Sequence, residues 1–202
     1  MKLYFSPGAC SLAPHIVLLE AGLPFTLEKV DLKSKTTAGG HDFRAINAKA
    51  YVPALALDSG EVLTEGPAIV QYIADLAPQK DLAPAAGSVA RYQLMGWLNF
   101  IGTEIHKNYS PLFDPAGSDE LKHAARASLT RRYGHVNDIL KDGDYLDGKQ
   151  FSVADAYLFV VTNWAAYVKL DLSAFPALQA FQKRVAARPA VQQALRAEGL
   201  LD

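Results

Sequence analysis

The sequence predicts an α/β domain followed by an all-α domain, and three observations carry that prediction. Residues 1–32 read as strand, helix and strand. Residues 52–76 read as a hairpin running into a helix. Beyond the Pro- and Ala-rich stretch Pro78 to Gly87 (PQKDLAPAAG), the apolar pattern turns helical throughout. The two domains are therefore expected at 1–80 and 87–202, with the stretch between them as linker.

In the first domain, Leu3 to Phe5 is a short strand, stopped by Ser6-Pro7-Gly8 because Pro fixes φ and Gly accepts any φ. Leu12, Ile16 and Leu19 then fall at helical spacing. Ser11 is the candidate N-cap, Pro14 suits the first turn, and Gly22 suits the C-terminal stop. Phe25 to Leu32 is a second strand, and a β-α-β unit implies that it runs parallel to the first. Ser34 to Gly40 reads as loop, and His41 to Asn47 as a short helix. Val52 to Leu57, the turn Asp58-Ser59-Gly60-Glu61 and Val62-Leu63 give the hairpin signal. Pro53 belongs at a strand's first residue or edge, and a cis bond before it would free the Val52 N–H and C=O for an extended ligand. The next helix opens with Gly66 as N-cap and Pro67 at its first position.

In the second domain a helix begins near Ser88, with Leu94, Leu98, Ile101 and Ile105 as its seam. Asn99, Thr103 and His106 share a narrow arc on it, and Lys107 lies beside them. Tyr109 and Phe113 form an aromatic patch around the Pro111 break. Asp119 to Leu140 is a second amphipathic helix, with Arg126, Arg131 and Arg132 on a solvated or partner-facing side. A helix from Phe151 to Lys169 is apolar nearly all round, so it forms the core. Ser152 and Asp155 have capping-box spacing at its start. Phe175 to Ala187 and Pro189 to Leu195 are the last helices.

The chemistry concentrates at two helix starts. Cys10 is the only cysteine among 202 residues, so no internal disulfide can form and any thiol partner comes from outside. It lies where a strand turns into a helix, beside the positive helix end, a position that lowers a thiol pKa. The N–H groups around Gly66 suit a carboxylate, and Glu65 suits an ammonium. Together they describe a site for the α-amino-acid end of a ligand.

Lys plus Arg number 20 against 21 Asp plus Glu, for a net charge of −1, so there is no basic excess to bind nucleic acid. No run of eighteen apolar residues spans a membrane, and no targeting segment precedes the first strand. A reducing, cytoplasmic location follows as the expectation. No metal-ligand spacing, phosphate loop or serine-hydrolase elbow is present.

Five segments carry a resemblance: SPGACSLAPH at 6–15, YVPAL at 51–55, LTEGPAIVQYIAD at 63–75, WLNFIGTEIHK at 97–107 and FSVADAYLF at 151–159. From Met1 to the last helix the chain resembles the bacterial beta class of glutathione transferases. The resemblance implies a thioredoxin-like N-terminal domain, an all-helical C-terminal domain and a homodimer. It implies glutathione as co-substrate with no metal, bound through Cys10, Lys35, Val52, cis Pro53, Glu65, Gly66, Asn99, Thr103, His106 and Glu104 of the partner subunit. Many family members have Ser at position 66, where this chain has Gly. Cys10 can form a mixed disulfide with glutathione, Ser11 offers a second hydroxyl near the sulfur, and His106 and Lys107 border the electrophile pocket. By resemblance Tyr109, Phe113, Trp164 and Tyr167 line that pocket for an apolar substrate.

The implied activity is conjugation of glutathione to hydrophobic electrophiles in detoxification. Thiol–disulfide exchange or dehalogenation through Cys10 is a second enzymatic reading. A non-catalytic binding or docking module of the same fold is the alternative. Neither nucleic acid nor membrane is an expected partner.

Overall fold

The computed structural model describes residues 1–148 and 150–201, which divide into two compact units, 1–85 with 188–202 and 86–187. The first unit opens with β1 (Lys2–Phe5), α1 (Leu12–Ala21), β2 (Thr26–Asp31) and β3 (Thr36–Thr37). It continues with β4 (Ala54–Ala56), β5 (Val62–Thr64) and α2 (Gly66–Leu76). The strands form one sheet in the order β3-β2-β1-β4-β5. β1 and β2 pair in parallel, as a helical crossover requires, with Leu3 opposite Leu27. β4 runs antiparallel to β1 and to β5, completing the expected hairpin.

Side-chain alternation gives the sheet two covered faces. Tyr4, Val30, Val52 and Ala54 pack with Phe43, whose ring stands 5.5 Å from that of Tyr4. Phe43 belongs to a single 3₁₀ turn, Phe43–Ala45, where the sequence suggested a short helix; the Asp42 carboxylate caps it through Arg44 N–H at 2.9 Å. α1 and α2 pack together, and Leu3, Ile16, Ile69 and Ile73 are fully enclosed. α1 ends as read: Gly22 takes φ 68°, and the N–H groups of Gly22 and Leu23 return to Leu19 and Leu18. The segment expected as loop at 34–40 contains β3. Its two residues pair with Asp31 and Val30, too short a strand to leave a periodic signal.

The second unit contains α3 (Val89–Phe100), α4 (Ser110–Phe113), α5 (Asp119–Ile139), α6 (Val153–Tyr167) and α7 (Pro176–Ala186). The Ser88 hydroxyl caps α3 by accepting Arg91 N–H at 3.2 Å. The predicted seam of Leu94, Leu98, Ile101 and Ile105 is buried throughout, yet the helix is not uniform. A π turn spans Ile101–Ile105 and a 3₁₀ turn spans His106–Tyr109 before α4 begins. α6 is the buried core helix. Asp155, fully enclosed at its start, accepts Ser152 N–H at 2.8 Å, the Ser152 hydroxyl at 2.7 Å and Leu146 N–H at 2.9 Å.

The last helix, α8 (Pro189–Ala197), corrects the domain boundary read from sequence. Among the described residues, 188–201 belong with the first unit rather than with an 87–202 domain. α8 packs on α1 and is fastened at both ends. At one end Arg188 forms a two-pronged ion pair with Glu20, at 2.6 and 3.0 Å. At the other, the buried Glu198 carboxylate takes His15 Nδ1 at 2.8 Å and Gly8 N–H at 2.9 Å. Among the described residues, no helix is long and apolar enough to cross a membrane.

Candidate functional site

Cys10 stands in the turn from β1 to α1, and the turn is braced from within. Ala9 N–H donates to Ser6 C=O at 3.0 Å. The Ser11 hydroxyl accepts Ser6 N–H at 3.2 Å and donates to Ser6 C=O at 3.3 Å. Ser11 is the N-cap residue of α1, as expected from its position, but its fully buried hydroxyl braces the turn and makes no capping bond to the helix. The first N–H groups of α1 find carbonyls one turn back, at Ala9 and Cys10, and so do not need its side chain.

The Cys10 thiol donates to Val52 C=O at 3.3 Å. The Val52–Pro53 bond is cis. Burial pushes the thiol up to about 11, against the pull of the Cys10 and Ser11 N–H groups, and the nearby Glu65 carboxylate pushes the same way as burial. The expectation of a lowered thiol pKa is thus corrected: the helix-end dipole is present, but loss of solvent outweighs it.

Glu65 holds φ 71° and ψ 113°, a backbone conformation that costs about 1–3 kcal/mol for a residue with a Cβ. It serves as N-cap residue of α2, so Gly66 is the first helical residue rather than the cap. A first-turn N–H has no partner within its own helix. A Cβ added at Gly66 would touch only Pro53 Cγ, at 3.8 Å, so a ligand can approach the backbone closely and serine would also fit there. Around this edge the loop 47–52 is pinned by side chains. Buried Asn47 donates to Tyr51 C=O at 2.8 Å, and Lys35 Nζ donates to Ala50 C=O at 3.1 Å. Lys49 Nζ lies 2.5 Å from Glu65 Oε1. The structure brings Cys10, Val52, Pro53, Glu65 and Gly66 to one end of the sheet, where β1 and β5 finish and β4 starts. Asn47 and Lys49 are additions: the sequence offers no signal for them beyond their place just before Val52 and Pro53.

The predicted residues of the second unit lie along the irregular end of α3. The π turn breaks the 100° count on which the arc of Asn99, Thr103 and His106 was drawn. Asn99 and Thr103 are exposed, with the Thr103 hydroxyl donating to Asn99 C=O at 3.0 Å. Glu104 pairs with Arg132 of the same chain, at 2.5 Å. Lys107 is exposed. His106 turns to α6, where its Nδ1 meets Tyr157 OH at 2.6 Å and its ring stands 4.7 Å from Trp164. Burial, aided by the charge of Lys107, lowers its pKa to about 4, so the imidazole is neutral at pH 7.

Trp164 is buried, with Tyr109 and Phe113 edge-on at 5.5 and 5.7 Å. Tyr109 itself is enclosed and bonded to Tyr133 OH at 2.8 Å, with its phenol raised far above the ordinary range by burial. It supports the group from behind, whereas Phe113 and Tyr167 are exposed. No cluster of metal-ligating side chains occurs among the described residues.

Residues 8–76 match the glutathione S-transferase N-terminal domain family and residues 100–189 the corresponding C-terminal domain family. The chain is 50% identical to the glutathione S-transferase GstA of Escherichia coli O157:H7, over 99% of this chain and all of that one. It is similar to the ternary complex of BphK, a bacterial glutathione transferase (63% identity, TM-score 0.98, 99% of this chain and 100% of that chain). It is likewise similar to a sphingomonad glutathione S-transferase complexed with glutathione (53%, 0.96, 99% and 100%). The beta-class enzyme of Sphingomonas chungbukensis is similar as well (51%, 0.96, 100% of both chains). With a thiol at the first strand–helix turn, a cis Val-Pro facing it and a Glu-Gly helix start beside them, the chain belongs to the glutathione S-transferase family, in its bacterial beta class.

Proposed function

We propose that this protein conjugates glutathione to hydrophobic electrophiles, as a detoxifying enzyme that works as a homodimer in the cytoplasm. The observation that carries this reading is the end of the sheet where β1 and β5 finish and β4 starts. Val52 presents a carbonyl next to Cys10, Glu65 presents a carboxylate, and the Gly66 N–H opens a helix in a spot a ligand can approach. These groups match an extended tripeptide: the carbonyl takes its cysteinyl N–H, Glu65 its α-ammonium and Gly66 N–H its α-carboxylate. Cys10 has a single S–H, so the proton it gives to the Val52 carbonyl in the free protein turns to the ligand sulfur once the cysteinyl N–H takes that carbonyl. The relative crystallised with glutathione supports the same ligand.

Glutathione supplies the nucleophilic sulfur: a carbon–sulfur bond forms at the electrophile while the leaving group departs with its electron pair, and the thiol proton passes to solvent. In this reading Cys10 is a neutral donor that orients and stabilises the developing thiolate, in keeping with its raised pKa. A neutral thiol is a poor nucleophile, so the same observation weighs against Cys10 as the group that attacks disulfides or chlorinated aromatics. The roles proposed for Lys35 and His106 change accordingly. Lys35 holds the loop before Val52 unless a glycyl carboxylate draws it away, and His106 contributes as a neutral donor or acceptor. Lys107 is the cation proposed to favour the glutathione thiolate. Asn99 and Thr103 are proposed polar contacts for the tripeptide, and Glu104 a contact made through the partner subunit. Phe113, Trp164 and Tyr167 are the apolar surface proposed for the electrophile.

The test is retention on immobilised glutathione together with turnover of a chloronitrobenzene. Retention with conjugate formation is expected. Neither retention nor turnover of any electrophile would favour the docking-module alternative.

A further inference from the structure

Lys49 carries no role in the mechanism above, yet it is the cation nearest the carboxylate on which ligand binding is proposed to turn. Its ammonium stands 2.5 Å from Glu65 Oε1 and 3.4 Å from the Thr64 hydroxyl. It is delivered there by a constrained loop. Lys49 N–H donates to the Asn47 side chain at 3.1 Å, Ala50 takes φ 56°, and Lys35 holds Ala50 C=O. Both partners of the pair keep about half or more of their side-chain surface, 49% for Lys49 and 62% for Glu65. Such an exposed pair adds little to stability. What it does fix is the place of a positive charge at the binding edge.

The ligand end proposed for this edge is itself a zwitterion, an ammonium and a carboxylate on one carbon. When its ammonium pairs with Glu65, its carboxylate comes to lie beside the same side chain, within reach of the Lys49 ammonium. We propose that Lys49 is a substrate-positioning residue. It holds Glu65 in the free protein, yields part of that carboxylate to the incoming ammonium, and pairs with the α-carboxylate of the γ-glutamyl end. Lys49, Glu65 and Gly66 N–H then recognise the α-amino-acid group from three sides. The inference rests on the binding mode proposed above.

The test is calorimetric binding of two unreactive ligands, S-methylglutathione and its analogue lacking the α-carboxylate. Wild type, Lys49→Met and Lys49→Arg are compared. Lys49→Met is expected to weaken S-methylglutathione about fivefold, the scale of one solvent-exposed ion pair. It should leave the decarboxylated analogue unchanged, so that the two losses fail to add. Lys49→Arg should restore most of the affinity, because the charge and not the packing is at stake. In turnover the change should fall on KM for glutathione and not on kcat. Equal or tighter binding of S-methylglutathione by Lys49→Met would overturn the proposal and make the lysine a competitor for Glu65. Equal weakening of both ligands would also overturn it, as a general effect of the loop. If wild type bound neither ligand, the glutathione site itself would fall, an outcome distinct from both.

Discussion

Cys10 sits at a helix start and yet holds its proton. The two influences act on one sulfur, and their balance is decided by solvent: burial raises the thiol to about 11 while the turn's N–H groups pull it down. Below about pH 8, Cys10 carries about a hundredfold less thiolate than a cysteine at the ordinary value of 9.0. Alkylation by iodoacetamide is therefore expected to be slow at pH 8 and to climb about tenfold per pH unit toward 11. Mass spectrometry of quenched samples reads the rate, and a fast rate that is flat above pH 7 would contradict the assignment. At this scale the sequence was informative wherever turn chemistry restricts the residue type. Cys10 after Ser-Pro-Gly, Pro53 before a strand and Gly66 before Pro67 each reported a backbone geometry. It was uninformative about charge state. His106 loses its proton because of burial, aided by the charge of Lys107, and no spacing announces that burial: the rings that pack on it, Tyr157 and Trp164, lie more than fifty residues away in sequence. Lys49 was missed because an exposed lysine in a loop looks like any other.

Among the elements, α6 depends most on a single side chain. Asp155 is buried and accepts three hydrogen bonds, two of them from Ser152. Asp155→Ala is expected to cost about 1–3 kcal/mol, since it strips a cap and leaves Leu146 N–H unpaired in the interior. Burial also raises the carboxyl to about 6, above its ordinary 3.8. A raised folded-state value means that the folded chain binds the proton more tightly than the unfolded chain. The contribution is full below the unfolded value and is lost as pH rises through 6. The urea midpoint of the wild type should therefore gain on that of Asp155→Asn as pH falls from 7 to 5; a constant difference would refute this. The Ser-x-x-Asp spacing made this cap legible, because capping chemistry is local. The π turn at Ile101–Ile105 was not legible, since the apolar seam it interrupts reads as continuous. Nor was the docking of α8 on α1, which depends on His15, Glu20 and Gly8 meeting Arg188 and Glu198 across most of the chain.

For the molecule as a whole, the change from mixed to purely helical periodicity near residue 86 corresponds to the division between the two compact units, and only the final helix crosses it. The homodimer proposed here is checked by light scattering coupled to size exclusion. A mass of about twice the 21.9 kDa chain is expected, and a monomer at micromolar concentration would remove the role given to Glu104 across subunits. The central claim is that glutathione's sulfur, and not the chain's own, attacks the electrophile, with Cys10 as the neutral donor beside it. Steady-state conjugation of a chloronitrobenzene by Cys10→Ala tests it most directly. The account predicts that the variant still turns over, with kcat reduced by about ten- to a thousandfold for a lost hydrogen-bond donor. Complete loss of conjugation in a folded variant that still binds glutathione would contradict it and make Cys10 the covalent nucleophile.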